Sequence, residues 1–455
     1  MPFYVNSRAI LLALTLLGSA EPLALAGRKS LNRPVASGSA VTATEASRAQ
    51  ERLAPSVDHH QHLLSPASAE ARLPLPVQLP EALARLARDR ELNWNDSAGL
   101  AKLFVEDGLL FTGDRWISGR QPIAAYLADG YTGPYRFKPI GYRVDGPAGQ
   151  IAGYMVEDDG TNVHFAFFHL ALSKGADGAW RIKSETQIFP GPMVENPVTA
   201  RQLVTMLDSA GIRRAVVLSN AYYFGVGRPG AVPDEYDKVR AENEWTAQQV
   251  GQFPDRLVAF CSFNPLRDYA LTELERCARS GRFRGLKLNL NGAQLDFQNP
   301  EQVSKVRRVM EAANKHRLPM IIHVRSGNNY GRRDAEVFLR QLVAAAPDVP
   351  IQIAHLWGGE SFSGPALSVY ADAVSAADPV AKNLYFDISG AWRYGKPEEM
   401  PEIVTLLRRI GPERILYASD APPSEAWEEF RKKLTLTDKE IRVIATNVAP
   451  YMRGR

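Results

Sequence analysis

The sequence predicts an α/β protein: a (β/α)8 TIM barrel carrying an α+β domain inserted after its first strand. Three observations carry this expectation. After residue 200, short β-branched runs alternate with helical stretches at a steady spacing. Those runs are continuously apolar rather than alternating, as in parallel strands covered on both faces. Residues 63–212 separate the first strand from the second, and a structureless loop of that size does not belong in a compact domain.

The elements follow in chain order. Arg8 precedes the apolar run Ala9–Gly18, and Ala24-Leu25-Ala26 fits a small-residue cleavage site. Residues 1–26 are therefore expected to be a signal peptide, and the protein exported, to the periplasm or beyond. The run is short for a membrane span and Glu21 interrupts it, so no stable membrane insertion is expected after cleavage. No Cys stands directly after the cleavage site, which argues against a lipid anchor. Residues 27–50, rich in Ser, Ala and Thr, read as a flexible leader. Residues 51–79 hold the first barrel strand (56–62) and a connection.

Residues 80–190 form the expected insert. A helix over 81–106 comes first, and a short helix near 120–128 follows the first strand. Strands are expected at 108–112, 138–145, 150–157, 162–173 and 179–189, separated late by the turn signals Asp145-Gly146-Pro147, Asp158-Asp159-Gly160 and Lys174–Gly178. Helices followed by an antiparallel meander make an α+β unit. Residues 191–455 return to the barrel, with strands at 213–220, 257–263, 283–290, 319–324, 350–356, 383–389 and 414–419. With the first strand these make eight units, the number that closes a barrel. The helix 200–210 places Leu203, Met206 and Leu207 on one face and stops at Gly211. Residues 301–316 and 334–346 show similar one-sided patterns.

Composition narrows the function. The net charge of +4 over 455 residues, with no long Lys/Arg block, gives no support for nucleic-acid binding. The two cysteines, Cys261 on a strand and Cys277 on a helix, are expected as buried free thiols; their spacing fits no zinc site.

The chemistry gathers at strand ends. Five of the eight histidines, His59, His60, His62, His323 and His355, lie there. In His60-Gln61-His62, alternate residues share a face, so both imidazoles point toward one ion, with Asp58 one step deeper and His59 turned to the helices. His323 closes LPMIIH, His355 closes VPIQIAH, and Asp420 closes RILYASD. Barrel residues of this kind converge at the carboxyl face. Three histidines and a carboxylate around an open position suit a catalytic divalent metal, with Zn2+ the default. Arg325 shares the face of His323 and suits an anionic group. Asn220, Tyr222, Asn264, Trp392 and Arg393 lie on loops bordering the mouth. Trp116, His164 and His169 belong to the insert, where the two histidines are expected to alternate across its sheet.

The set Asp58-x-His60-x-His62, His323, His355 and Asp420 in YASDAP resembles the amidohydrolase superfamily, in particular its amidohydrolase-related branch, over residues 52–66 and about 195–453. That resemblance implies His60, His62, His323 and Asp420 as metal ligands. It leaves His355 either to a second metal or to catalysis. Lys287, in FRGLKLNL, is open to three readings: a carboxylated bridge between two metals, a partner for a substrate carboxylate, or a strand lysine. One metal is favoured, two remaining compatible. The insert, on LAKLFVEDGLLFTGDRWISGRQPIAAYL and GADGAWRIKSETQIF, resembles the SnoaL-like, nuclear-transport-factor-like cone. This implies a cupped pocket and leaves the chemistry open.

The activity expected is hydrolysis of a lactone, ester or amide of a small substrate. Metal-activated water attacks the carbonyl, Asp420 takes the proton, and His355 stabilises the oxyanion or protonates the leaving group. The alternatives are a metal-dependent decarboxylase or other lyase acting on a carboxylated aromatic or unsaturated acid, and a non-enzymatic ligand-binding protein. A homodimer is compatible with both domain types. Both junctions of the insert fall at the catalytic face, so the cone is expected to narrow the entrance.

Overall fold

The computed structural model describes residues 53–71, 73–74, 76–112, 115–130, 135–158, 163–188, 199–226, 234–324, 330–359 and 361–453. The expected signal peptide and leader, and Arg325, lie outside them. Pro55–Arg455 forms one compact unit. It holds two sheets.

Strand β1 is Val57–Gln61. Strands β2 (Phe104–Phe111), β3 (Trp116–Ser118), β4 (Tyr135–Asp145), β5 (Ala148–Asp158), β6 (Val163–Lys174) and β7 (Trp180–Ile188) follow. Next come β8 (Arg214–Leu218), β9 (Leu257–Ser262), β10 (Gly285–Asn289), β11 (Met320–His323), β12 (Ile351–Ile353), β13 (Leu384–Asp387) and β14 (Ile415–Leu416). One sheet runs β1-β8-β9-β10-β11-β12-β13-β14, and its paired strands are all parallel. The chain beyond β14 returns to β1: His59 N–H donates to Tyr417 O (3.0 Å) and Asp420 N–H to His60 O (2.9 Å). These bonds close the barrel.

Asp58 rivets the same seam. Its buried carboxylate accepts from Ser419 N (3.0 Å), Ser419 Oγ (2.5 Å) and Gln61 Nε2 (3.0 Å). Burial pushes its pKa up to about 6, against the hydrogen bonds from Ser419 and Gln61. It is a structural carboxylate. Inside the barrel, Val57, Val216, Leu218, Phe260, Ile321 and Leu416 pack with Ala449, Tyr451 and Met452. The last three come from the C-terminal turn, which reaches the start of β8 where Arg214 Nη1 donates to Met452 O (2.8 Å).

The outer helices follow local rules. Thr199 caps Ala200–Ala210 by accepting from Gln202 N, and the helix ends at Gly211 with φ of 72°. The left-handed C-terminal residue is the conformation glycine adopts without a Cβ penalty. The stretch expected as one helix over 334–346 is broken: Arg332–Val337 passes into a π turn, Phe338–Leu342, then a 3-10 turn, Val343–Ala345.

The cysteines correct the expectation of free thiols. Cys261 of β9 and Cys277 of the helix Ala270–Ser280 form a disulfide, with Cα atoms 6.4 Å apart. A crossover helix folds back on its own strand, so inward positions on the two meet.

The second sheet runs β3-β2-β7-β6-β5-β4. It is not a pure antiparallel meander: β2 pairs with β7 in parallel. The stretch 81–106 is two helices, Glu81–Leu92 and Ser97–Lys102, followed by β2 from Phe104. Asp96 breaks the run by capping the second helix, its side chain accepting from Gly99 N (2.8 Å). A core including Leu83, Leu100, Phe104, Ile123, Phe168 and Ile182 fills the domain. Leu64, Ala69 and Leu73, just after β1, pack on Tyr154 and Val156 of β5, with Ile140 and Phe167 alongside. Among the described residues no helix is long and apolar enough to cross a membrane.

Candidate metal centre

His60 is the penultimate residue of β1, and His62 lies one residue beyond its end. Their rings lie 5.3 Å apart, and His60 lies 5.2 Å from His355. Asp420 Oδ1 is 3.9 Å from both His60 Nε2 and His62 Nε2. Ligand atoms of His60, His355 and Asp420 all fall within 4.8 Å of one another. Three strand ends, distant in sequence, thus bring four candidate ligand side chains to one place.

Each imidazole is oriented from behind. His60 Nδ1 bonds to Asp387 Oδ2 (3.2 Å), His62 Nδ1 to Leu218 O (2.9 Å) and His355 Nδ1 to Ser389 O (2.8 Å). A carbonyl or carboxylate at Nδ1 fixes the proton there and leaves Nε2 as a lone-pair donor facing inward. Burial holds His60 below its ordinary value, His62 well below it, and His355 down to about 3. All three are therefore neutral at pH 7, the form that ligates. Three outwardly bonded imidazoles and one carboxylate fit a divalent cation.

The backbone is strained at the same spot. His355 (φ 57°), Leu356 (φ 60°) and Asp420 (φ 46°) occupy left-handed conformations without being glycine. Such residues cost about 1–3 kcal/mol each and cluster at functional sites.

His323 joins through His355, its Nδ1 3.1 Å from His355 Nε2. With Nδ1–H of His355 committed to Ser389 O, the Nε2 of His355 accepts and His323 donates. Lys287, on β10, is buried with Nζ 3.2 Å from His60 Nε2. It lies against the candidate site. His59 points away as expected, Nδ1 bonded to Tyr417 O (2.9 Å) and Nε2 accepting from Ala449 N (3.2 Å).

Among the mouth residues, Tyr222 lies 6.4 Å from the His62 ring, and Asn220 is spent on Leu63 O (2.6 Å). Trp392 is buried and lines a cavity of about 610 Å3 with Arg393, Tyr394, Lys396, Met400 and Lys433. Among the described residues that line it, none is acidic. Tyr394 is the wall it shares with the centre, its ring 6.1 Å from that of His355. In the insert, Trp116 is exposed and stacks near Phe111 (5.0 Å), and His169 is 3.4 Å from Gln150. Neither belongs to the centre, and the His164 side chain lies outside the described residues.

Sequence reasoning missed Asp387 and Ser389. Asp387 is a carboxylate ending an apolar strand, the same signal that exposed Asp420.

The family model described as amidohydrolase matches residues 189–443. No curated protein matches the chain. Among solved structures, the chain resembles 5-carboxyvanillate decarboxylase from Sphingomonas paucimobilis at 19% identity and a TM-score of 0.38, over 53% of this chain and 79% of that one. It resembles 2,6-dihydroxybenzoate decarboxylase from Rhizobium at 18% and 0.36, over 54% and 84%. An NTF-2 like protein of unknown function from Shewanella oneidensis MR-1 matches at 18% and 0.22, over 24% and 97%.

Proposed function

Because the chain belongs to the amidohydrolase family, we propose that it is an exported, metal-dependent hydrolase that cleaves a lactone, ester or amide of a small anionic substrate. The observation carrying this reading is the convergence of His60, His62, His355 and Asp420, with each histidine's Nδ1 anchored outward. His60, His62, His323 and Asp420 would hold one divalent ion, Zn2+ by donor type, with His355 beside them. Such an ion supplies Lewis-acid activation of water and of a substrate carbonyl.

The chain's own groups do the rest. Asp420 accepts the proton of the attacking water. His355 Nε2 carries no proton and accepts from His323, so His355 protonates the leaving group only after taking up a proton. Lys287 and Arg325 pair with a substrate carboxylate, and Trp392 walls the substrate's route. The cation-lined cavity beside Trp392 supports an anionic substrate. The Cys261–Cys277 disulfide supports export, since such bonds persist in oxidising compartments.

A second reading, decarboxylation, is favoured by the Lys287 ammonium beside His60. Two measurements test the pair. Residues 27–455 should bind one equivalent of Zn2+, and His60→Ala should lose it; two equivalents would make Lys287 a bridging ligand instead. A panel of lactones, esters, amides and aromatic carboxylic acids should give products carrying oxygen from labelled water. CO2 release without such labelling would replace hydrolysis by the lyase reading.

A further inference from the structure

Asp387 is wholly buried at the end of β13, and its carboxylate bonds to metal-site residues and their supports. Oδ2 accepts from His60 Nδ1 (3.2 Å) and Gln352 Nε2 (2.6 Å). Oδ1 accepts from His355 N (3.0 Å), Ser389 N (3.0 Å) and Ser389 Oγ. One oxygen thus aims the imidazole of the first strand. The other pins the left-handed backbone of His355, whose Nδ1 is held in turn by Ser389 O and Ser389 Oγ (2.9 Å).

The support continues through the barrel core. Gln352 Oε1 accepts from Tyr451 Oη, in the C-terminal turn packed among the core residues. That bond decides which end of the amide faces Asp387: with Oε1 taken by the hydroxyl, Nε2–H must donate to the carboxylate.

We infer that Asp387 is the positioning residue of this centre, the hub of a buried relay Tyr451–Gln352–Asp387 that holds His60 and His355 in one geometry. The inference rests on the metal-binding reading above. It assigns Asp387 no contact with substrate or ion. It assigns the residue the mutual placement of two site histidines, one delivered by β1 and one by the turn after β12.

Asp387→Asn is the sharp variant. Whichever way its amide turns, an NH2 group faces N–H donors, either those of His60 and Gln352 or those of His355 and Ser389. Zn2+ affinity is read by competition with a chelating dye, the ligand geometry by the visible spectrum of the Co2+-loaded protein, and folding by the thermal midpoint of the metal-free protein. We expect Asp387→Asn to fold, to bind Zn2+ about 10–100-fold more weakly, and to give an altered Co2+ spectrum. Wild-type affinity within twofold, together with a wild-type spectrum, would overturn the inference.

Should Asp387→Asn not fold, Tyr451→Phe decides. It keeps the ring in the core and removes only the hydroxyl that orients Gln352. A loss of about threefold or more in Zn2+ affinity supports the relay, and unchanged affinity overturns it. A wild-type protein that takes up no Zn2+ overturns the metal reading and the relay together, whereas normal uptake with unaffected variants overturns the relay alone.

Discussion

His59 and His60 are adjacent on β1, yet the pleat sends one to the C-terminal segment and the other to the metal centre. Their predicted behaviour differs accordingly. His59→Gln should keep its metal and lose about 1–3 kcal/mol of stability, because two buried hydrogen bonds are disturbed. Burial depresses the His59 pKa from 6.5 to about 4. Its neutral form therefore gives stability that is complete above pH 6.5 and is lost as pH falls through 4. Asp58 runs the other way, since its pKa is raised from 3.8 to about 6. Its contribution is complete below pH 3.8 and is lost as pH rises through 6. Urea unfolding across this range should show a shallower loss on acidification in His59→Gln than in wild type; parallel curves would count against a buried neutral His59. Asp420→Asn tests the proton acceptor. It should lower kcat by about 10²–10⁴-fold with KM little changed, and a kcat within a few-fold of wild type would give the base to another residue.

At the scale of elements, the Cys261–Cys277 bond staples β9 to the helix that follows it, closing a loop of sequence separation 16. Replacing both cysteines by alanine should cost about 3 kcal/mol, read as a lower denaturant midpoint. An unchanged midpoint would make the bond structurally idle. The bond was hidden in the sequence because strand and helix positions meet only once the crossover packs. The eight barrel strands were legible, since buried parallel strands are written as unbroken apolar runs. So were His60, His62, His323, His355 and Asp420, each at the end of such a run. The apparent helix over 81–106 misled because apolar residues continue at helical spacing past Asp96, whose capping role shows only in three dimensions. Asp387 was overlooked although it ends an apolar strand as Asp420 does: its role lies in five donors from three strand ends, which only the folded barrel brings together.

For the whole molecule, the insert is joined to the barrel by more than its chain. Leu64, Ala69 and Leu73 bury against its sheet, and Tyr154 Oη donates to Pro74 O (3.2 Å). Replacing residues 80–190 with a short linker should leave Zn2+ content near wild type while changing relative kcat/KM across substrates by about tenfold or more. Unchanged selectivity would show that the insert takes no part in substrate choice. The same architecture has a consequence for synthesis. The seam of the barrel joins His59 and His60 to Tyr417 and Asp420, and the relay adds Tyr451. The first donors are made before every other barrel strand, and the residues that complete their site follow only after β14. A chain cut before β14 therefore carries His60 and His62 without Asp420 opposite them, and it should fail to retain Zn2+.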